Sequence, residues 1–400
     1  MKTLIEIYDK DEAIHNVLIT LIFKPKNVIF LVETPLTEKE KENIRQFLKS
    51  HGVQPNISFI HLSNWRVRQI AHTLEEITWQ YEDITFEITG GNSFLVSVIS
   101  QYAYTQGIPL IYKVLKRKAL VVIKVLEDEV KEIALPHFKI GDILNLYGAG
   151  IDHLDHFRSL FDDEQRYQTY RRLSHLYFMR LDAWDSLIDW FQRTETIEER
   201  GEDGTPNGTL RIEGDALKGK KAKRVLPVLK DLEESGILKI HQADEHKMVI
   251  NLWDRDIANA FKIQGAWLEL WTYLVLKQMN LFDDLHMSVI INWDKGKQNQ
   301  NNRIINEIDV IGIRGLTSVF ISCKMSLSGR SVYDMYEIKI LCEKFGGMRA
   351  KAVMVTLEKE KKINSVFLRK AEELGVTVIP FEDVFSEGMS SIMRDLVGAS

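Results

Sequence analysis

The feature that most constrains this chain is the regular alternation of strand and helix signals from its start to residue 126. Thr3–Tyr8 reads as a strand, Ala13–Phe23 as a helix and Asn27–Glu33 (NVIFLVE) as a buried strand. Glu38–His51 follows as a helix with a charged face, and Gly52 stops it as a C-cap. Ile57–Leu62, Ile84–Thr89, Leu110–Lys113 and Ala119–Leu126 are further strands, with helices at Trp65–Tyr81 and Phe94–Thr105 among them. Near-continuous apolar strands are buried on both faces, which calls for a parallel sheet covered by helices on each side. Residues 1–137 are therefore expected to fold as a Rossmann-like domain.

Four hundred residues exceed what one ordinary core holds, so more domains follow. From Lys139 to Arg193 the spacing is helical and free of breakers, and Glu198–Gly208 (EERGEDGTPNG) reads as a loop or linker. Ala222–Ser235 is a helix, and Gly236 leads into a hairpin of Ile237–His241 and Lys247–Leu252, the order of a winged helix. Residues 138–254 thus read as a helical, winged-helix-like middle region. Residues 255–400 open with the helix Gly265–Met279 and continue with strands at Met287–Trp293, Asn306–Ile313 and Val319–Cys323. A helix (Val332–Phe345), a strand (Ala350–Thr356), a helix (Ser365–Leu374) and a strand (Val376–Pro380) complete a second α/β domain, interrupted only by the polar loop Lys295–Asn302.

A net charge of −5, from 52 basic and 57 acidic residues, excludes a protein that coats long duplex nucleic acid and leaves room only for local contacts. The two cysteines, Cys323 and Cys342, stand in no CxxC or Cys/His cluster, which argues for a reducing compartment and against structural zinc. The N-terminus enters a strand without a signal-peptide apolar core, and Asn16–Phe23 is too short to span a bilayer. The expected location is cytoplasmic.

Two places carry chemistry. The strand Ile84–Thr89 runs into Thr89-Gly90-Gly91-Asn92-Ser93 and then a helix. Glycines let backbone approach a ligand, and the free N–H groups at a helix start favour an anion. No GxGxxG or GxxxxGK[ST] is present, so a dinucleotide site or a P-loop is disfavoured. In the C-terminal part, Asn306-Glu307-Ile308-Asp309-Val310 is followed by a glycine turn and by Phe320-Ile321-Ser322-Cys323-Lys324. A two-residue period puts Glu307 and Asp309 on one face of their strand, and Ser322 and Lys324 on one face of the next. Carboxylates there can hold Mg²⁺ or Mn²⁺ against a phosphodiester, with a lysine to position or deprotonate the attacking water.

The turn at Thr89–Ser93 resembles the signature of the CRISPR-associated Rossmann-fold (CARF) domain, which binds cyclic oligoadenylates. Ser93 stands where that family often has lysine, and Lys113 is the replacement charge the resemblance calls for, with Asp9 at the same sheet edge. The paired strands resemble the core of PD-(D/E)xK nucleases, with Glu269 on the preceding helix in the place where that superfamily often brings another acid. Here Ser322 replaces the family's second acid. Glu269, Glu307 or Asp294 can donate it instead, and the backbone carbonyl of Cys323 is a further oxygen ligand. Together the two signals resemble cyclic-oligoadenylate-activated nucleases of type III CRISPR defence. That resemblance implies a homodimer that binds cyclic tetra-adenylate across its two-fold axis and cuts single-stranded DNA or RNA. The competing reading is a ligand-responsive winged-helix transcription regulator with a degenerate nuclease-like domain.

Overall fold

A computed structural model describes residues 1–62, 66–114, 119–124, 127–153, 164–193, 197–200, 206–213, 219–243, 247–252, 257, 260–261, 263, 265–293, 304–347 and 349–398. The polar loop Lys295–Asn302 and the candidate ligand Asp294 lie outside the described residues.

The N-terminal sheet runs β3(Asn56–His61)-β2(Asn27–Val32)-β1(Thr3–Tyr8)-β4(Ile84–Glu87)-β5(Leu110–Val114)-β6(Ala119–Lys124)-β7(Glu127–Glu132). The first five strands are parallel, as the apolar runs require, whereas β5, β6 and β7 pair antiparallel. The all-parallel expectation thus fails at one edge. A hairpin needs no crossover helix, and β7 (EDEVKE) is exposed throughout, so it carries no apolar signal. Helices α1(Ala13–Phe23), α2(Glu38–Ser50), α3(Val67–Gln80) and α4(Ser93–Gln106) cover the sheet. A capping box of Thr37 and Glu40 starts α2, and Asn92 caps α4 by accepting from the Leu95 N–H.

The middle region departs from its reading in two places. After α5(Ile140–Leu146), Gly148 takes a φ of 81° and the chain turns into a strand, β8(Gly150–His153), within the stretch read as helix. Helices α6(Glu164–Met179) and α7(Leu181–Arg193) follow. The segment read as linker forms β9(Ile197–Arg200) and the start of β10(Pro206–Glu213). Its composition lacks apolar alternation, so only pairing could define those strands. With α8(Gly219–Glu234), β11(Leu238–Ala243) and β12(Lys247–Leu252), they make a four-stranded sheet ordered β11-β12-β10-β9 rather than a bare hairpin.

The C-terminal sheet is ordered β17(Val376–Ile379)-β16(Lys351–Thr356)-β15(Thr317–Lys324)-β14(Ile305–Arg314)-β13(Asp284–Asn292)-β8. Strands β13, β14 and β15 form an antiparallel meander, and β16 and β17 continue it in parallel. Helix α9(Ala266–Gln278) packs on one face through Trp267, Leu268 and Leu270. Helix α10(Ser331–Gly346) packs on the other through Met335, Ile338 and Phe345. Helix α11(Ser365–Glu373) and two short C-terminal helices, α12(Phe381–Val384) and α13(Glu387–Leu396), complete the domain.

One apolar cluster crosses from the first sheet to the last. It joins Val17, Phe30 and Phe47 to Phe138 and Ile143 of the connection and to Ile308, Phe320 and Ile338. The first and last sheets are thus packed on a common core. Among the described residues, no helix is long and apolar enough to cross a membrane.

Candidate active site

The C-terminal meander brings three acids together. Glu307 and Asp309 sit two residues apart on β14, and Glu269 reaches them from α9. One carboxylate oxygen of each lies within 4.8 Å of the others. Asp309 is placed by the ladder itself: Val310 pairs with Ile321, so Ser322 stands across from it. Its Oδ2 accepts from the Ser322 hydroxyl at 3.3 Å and the Cys323 N–H at 2.5 Å. On its other side the β13 register skips Ser288, which has a φ of 51°. A non-glycine residue in that region costs about 1–2 kcal/mol, and such strain is retained where the surrounding structure enforces it.

Lys324 closes the group. Its ammonium lies 3.4 Å from Asp334 of α10, and both side chains are partly exposed. Glu307, Asp309, Ser322 and Lys324 line one cleft of about 200 Å³ with Asp334 and Glu337. Sequence reasoning missed the two α10 acids. The only available signal was their i, i+3 spacing on a helix start, which many solvated helices share.

Burial, followed by the charges of Asp309 and Glu307, holds the Glu269 carboxyl well above the usual range, and Lys324 offsets this only in part. Burial likewise raises Asp309 to about 6, although the Cys323 N–H and Lys324 pull it down. Glu307 is raised by partial burial and lowered by Lys324. The Glu269 Oε2 is buried and has no hydrogen-bond partner. An orphaned oxygen among crowded carboxylates suits a hard divalent cation, which takes oxygen ligands and relieves their repulsion. Cys323 is no nucleophile: its thiol is buried against the Thr272 hydroxyl at 3.6 Å, and burial drives its pKa up.

These shifts fix a pH dependence. Asp309 is raised from an ordinary 3.8, so its contribution to the metal-free fold is complete below that value and is lost as pH rises through about 6. A cation must displace the retained protons. Calorimetric Mn²⁺ titration is expected to show affinity rising between about pH 5 and 7, with proton release that shrinks towards pH 7. A pH-independent affinity would mean that the three acids do not form the binding set.

In the N-terminal domain, the Thr89–Ser93 turn lies at the carboxyl edge of β4, beside β1. Strand order runs outward from this pair in both directions, making it the switch point where open α/β sheets take ligands. A Cβ added at Gly90 would come within ordinary contact of the Asp9 Cβ, at 3.8 Å, as expected for residues sharing one edge. Gly91 has a φ of 85°, and any Cβ there would run into the Ile7 side chain. Asn92 donates to Glu33 at 2.5 Å, while Ser93 is exposed as the first residue of α4. Lys113 does not stand where the resemblance called for it. Its ammonium is buried, 3.3 Å from Glu87 and 2.8 Å from the His15 carbonyl, and thus committed inside the domain. Its N–H donates to the Thr89 hydroxyl, while the Thr89 N–H donates to Glu87. The buried pair therefore braces the turn instead of extending into it.

Residues 257–390 match the family model described as Card1-like, endonuclease domain. No curated protein sequence matches the chain. Among solved structures, protein VC1899 from Vibrio cholerae superposes with a TM-score of 0.74 at 15% identity, over 100% of this chain and 99% of that one. Can2 from Sulfobacillus thermosulfidooxidans, in complex with cyclic tetra-adenylate, superposes with a TM-score of 0.66 at 16% identity, over 99% and 96%. At these identities the likeness speaks for the fold, and it extends over the N-terminal, middle and C-terminal parts alike. The C-terminal domain is thus similar to Card1-like endonuclease domains, within an α/β chain whose fold resembles that of Can2 over nearly its whole length.

Proposed function

We infer that the chain is a metal-dependent endonuclease of type III CRISPR defence, switched on by cyclic tetra-adenylate and cutting single-stranded DNA or RNA. The observation that carries this reading is the convergence of Glu269, Glu307 and Asp309 beside Lys324. The family match and the likeness to a cyclic-tetra-adenylate-bound Can2 support it. The regulator reading needs a degenerate site, and three convergent acids with a lysine weigh against degeneracy.

Glu269, Glu307 and Asp309 would hold Mg²⁺ or Mn²⁺, with the Cys323 carbonyl as a further oxygen donor. When bound, such an ion supplies Lewis-acid charge on the scissile phosphate and lowers the pKa of water. The chain's own part is positional. The Cys323 N–H and Ser322 hydroxyl orient Asp309, and Lys324, steadied by Asp334, offers a cation at the mouth of the cleft to position water and meet developing phosphate charge. In the sensor, Asp9 and the turn Thr89, Gly90, Gly91, Asn92 and Ser93 would contact the ring. A symmetric ring fits a two-fold axis between two copies, so a homodimer is part of the proposal. Differential affinity for one arrangement of the copies would then drive activation.

The test is incubation of the purified protein with Mn²⁺, cyclic oligoadenylates of different ring size and labelled single strands. Cleavage that needs both the metal and the four-nucleotide ring is expected. Absence of cleavage with every ring would overturn the reading.

Ser322 yields a separate prediction. Asp309 and Ser322 face one another, so Ser322→Glu adds a carboxylate next to the metal set, and anionic oxygen is preferred over hydroxyl by a hard cation. Half-maximal cleavage should require several-fold less metal, more so for Mg²⁺ than for Mn²⁺. A higher metal requirement in the variant would show that Glu269 already completes the shell and that the added charge only crowds it.

A further inference from the structure

Helix α10 has two stripes with different characters. Asp334, Glu337, Ile338 and Leu341 line the catalytic cleft. On the neighbouring stripe Tyr333, Tyr336 and Ile340 stand open to solvent, with relative exposures of 74, 41 and 54%. At 100° per residue these positions lie directly beside Glu337, so the aromatic stripe begins at the rim of the cleft. Tyr336 continues into a hollow of about 380 Å³ shared with Val366, Arg369 and Lys370 of α11, with Glu373 one turn further on. Val366, Arg369, Lys370 and Glu373 are spaced i, i+3, i+4 and i+7, and hence present one face. Val366 is itself 52% exposed, and Lys370 and Val366 also line the adjoining hollow beside Gly329 and Val332.

Exposed tyrosines and an aliphatic floor, flanked by an arginine and a lysine, form an unusual surface for a chain whose net charge is −5. Aromatic rings offer stacking to bases of any sequence, and cations beside them meet the backbone. A paired duplex hides its base faces, so stacking of this kind favours an unpaired strand. We propose that this face, from Tyr333 and Tyr336 to Arg369 and Lys370, is the docking track that feeds single-stranded nucleic acid into the cleft. Continuity with the catalytic stripe, and the pairing of exposed rings with the Arg369 and Lys370 cations that outnumber Glu373 in the same hollow, commit the track to that occupant. The assignment rests on the nuclease reading above and adds to it the surface that holds the substrate away from the scissile bond.

Binding of a fluorescein-labelled single-stranded oligonucleotide, followed by anisotropy with cyclic tetra-adenylate and EDTA, tests the track. Tyr333→Ala and Tyr336→Ala should each weaken binding roughly tenfold. Arg369→Glu with Lys370→Glu should flatten the salt dependence by about 0.7 in slope for each phosphate left without its cation. Trp79→Ala, which removes a 91%-exposed aromatic on the sensor helix α3, should change neither quantity. Wild-type binding without metal-dependent cleavage, weakened by the tyrosine variants, would remove the nuclease reading and keep the track. Cleavage by the wild type, with binding unchanged in every track variant, would remove the track and keep the nuclease. Unchanged binding together with loss of dimer mass in sedimentation would assign the face to a second copy and overturn the proposal.

Discussion

Replacing Lys324 with alanine is expected to lower activator-dependent cleavage by at least about 100-fold, the usual effect of removing a positioned acid–base or charge-stabilising group. Affinity for cyclic tetra-adenylate should not change, because the sensor turn belongs to a different sheet. The loss has two sources. The ammonium leaves the cleft it shares with Glu307 and Asp309, so developing negative charge on the phosphate goes unmet. It also ceases to offset the raised pKa of Glu269, Glu307 and Asp309, each of which it lowers. More of their protons must then be displaced by the metal, so the variant's residual activity should need a higher metal concentration and improve with rising pH. Lys324→Arg keeps the charge but not its compact shape, and should recover the metal requirement better than the rate. Wild-type rates in the alanine variant would remove Lys324 from the site.

Gly91→Ala should raise the cyclic tetra-adenylate concentration for half-maximal cleavage by at least about tenfold. Only one methyl is added, but it meets two obstacles. A φ of 85° disfavours any L side chain, and the methyl would drive into Ile7 at the end of β1. Either Ile7 or the turn must move, and both belong to the switch-point edge where the ligand is proposed to sit. Gly107 supplies the control. It also has a positive φ, 64°, but nothing lies within 4 Å of its would-be Cβ. Gly107→Ala should therefore lower thermal stability by an amount that reflects strain of about 1 kcal/mol, with activation unaffected. Equal activation constants for the wild type and Gly91→Ala, measured with the same cleavage assay, would separate the turn from the ligand.

The sequence by itself determined elements whose signal is local. Short, near-continuous apolar runs in regular alternation with helical stretches fit doubly covered strands, so β1, β2 and the helix between them were legible. A glycine pair after a strand, with Asn92 before a helix, announced the Thr89–Ser93 turn. The two-residue period put Glu307 and Asp309 together on one strand before any partner was known. Properties that depend on distant partners were not legible. The strand β8 exists because β13 offers it an edge, β10 because β12 does, and β9 because β10 does; none of their own residues forces an extended chain. Lys113 was a candidate replacement for the charge missing at Ser93, yet a buried cation needs a counter-charge, and the fold supplies Glu87. The acids Asp334 and Glu337 reach the cleft only because α10 packs across the meander. Burial decided the chemistry in the same way: Glu269 is an ordinary glutamate on a helix until the closing core removes its water and sets Asp309 beside it.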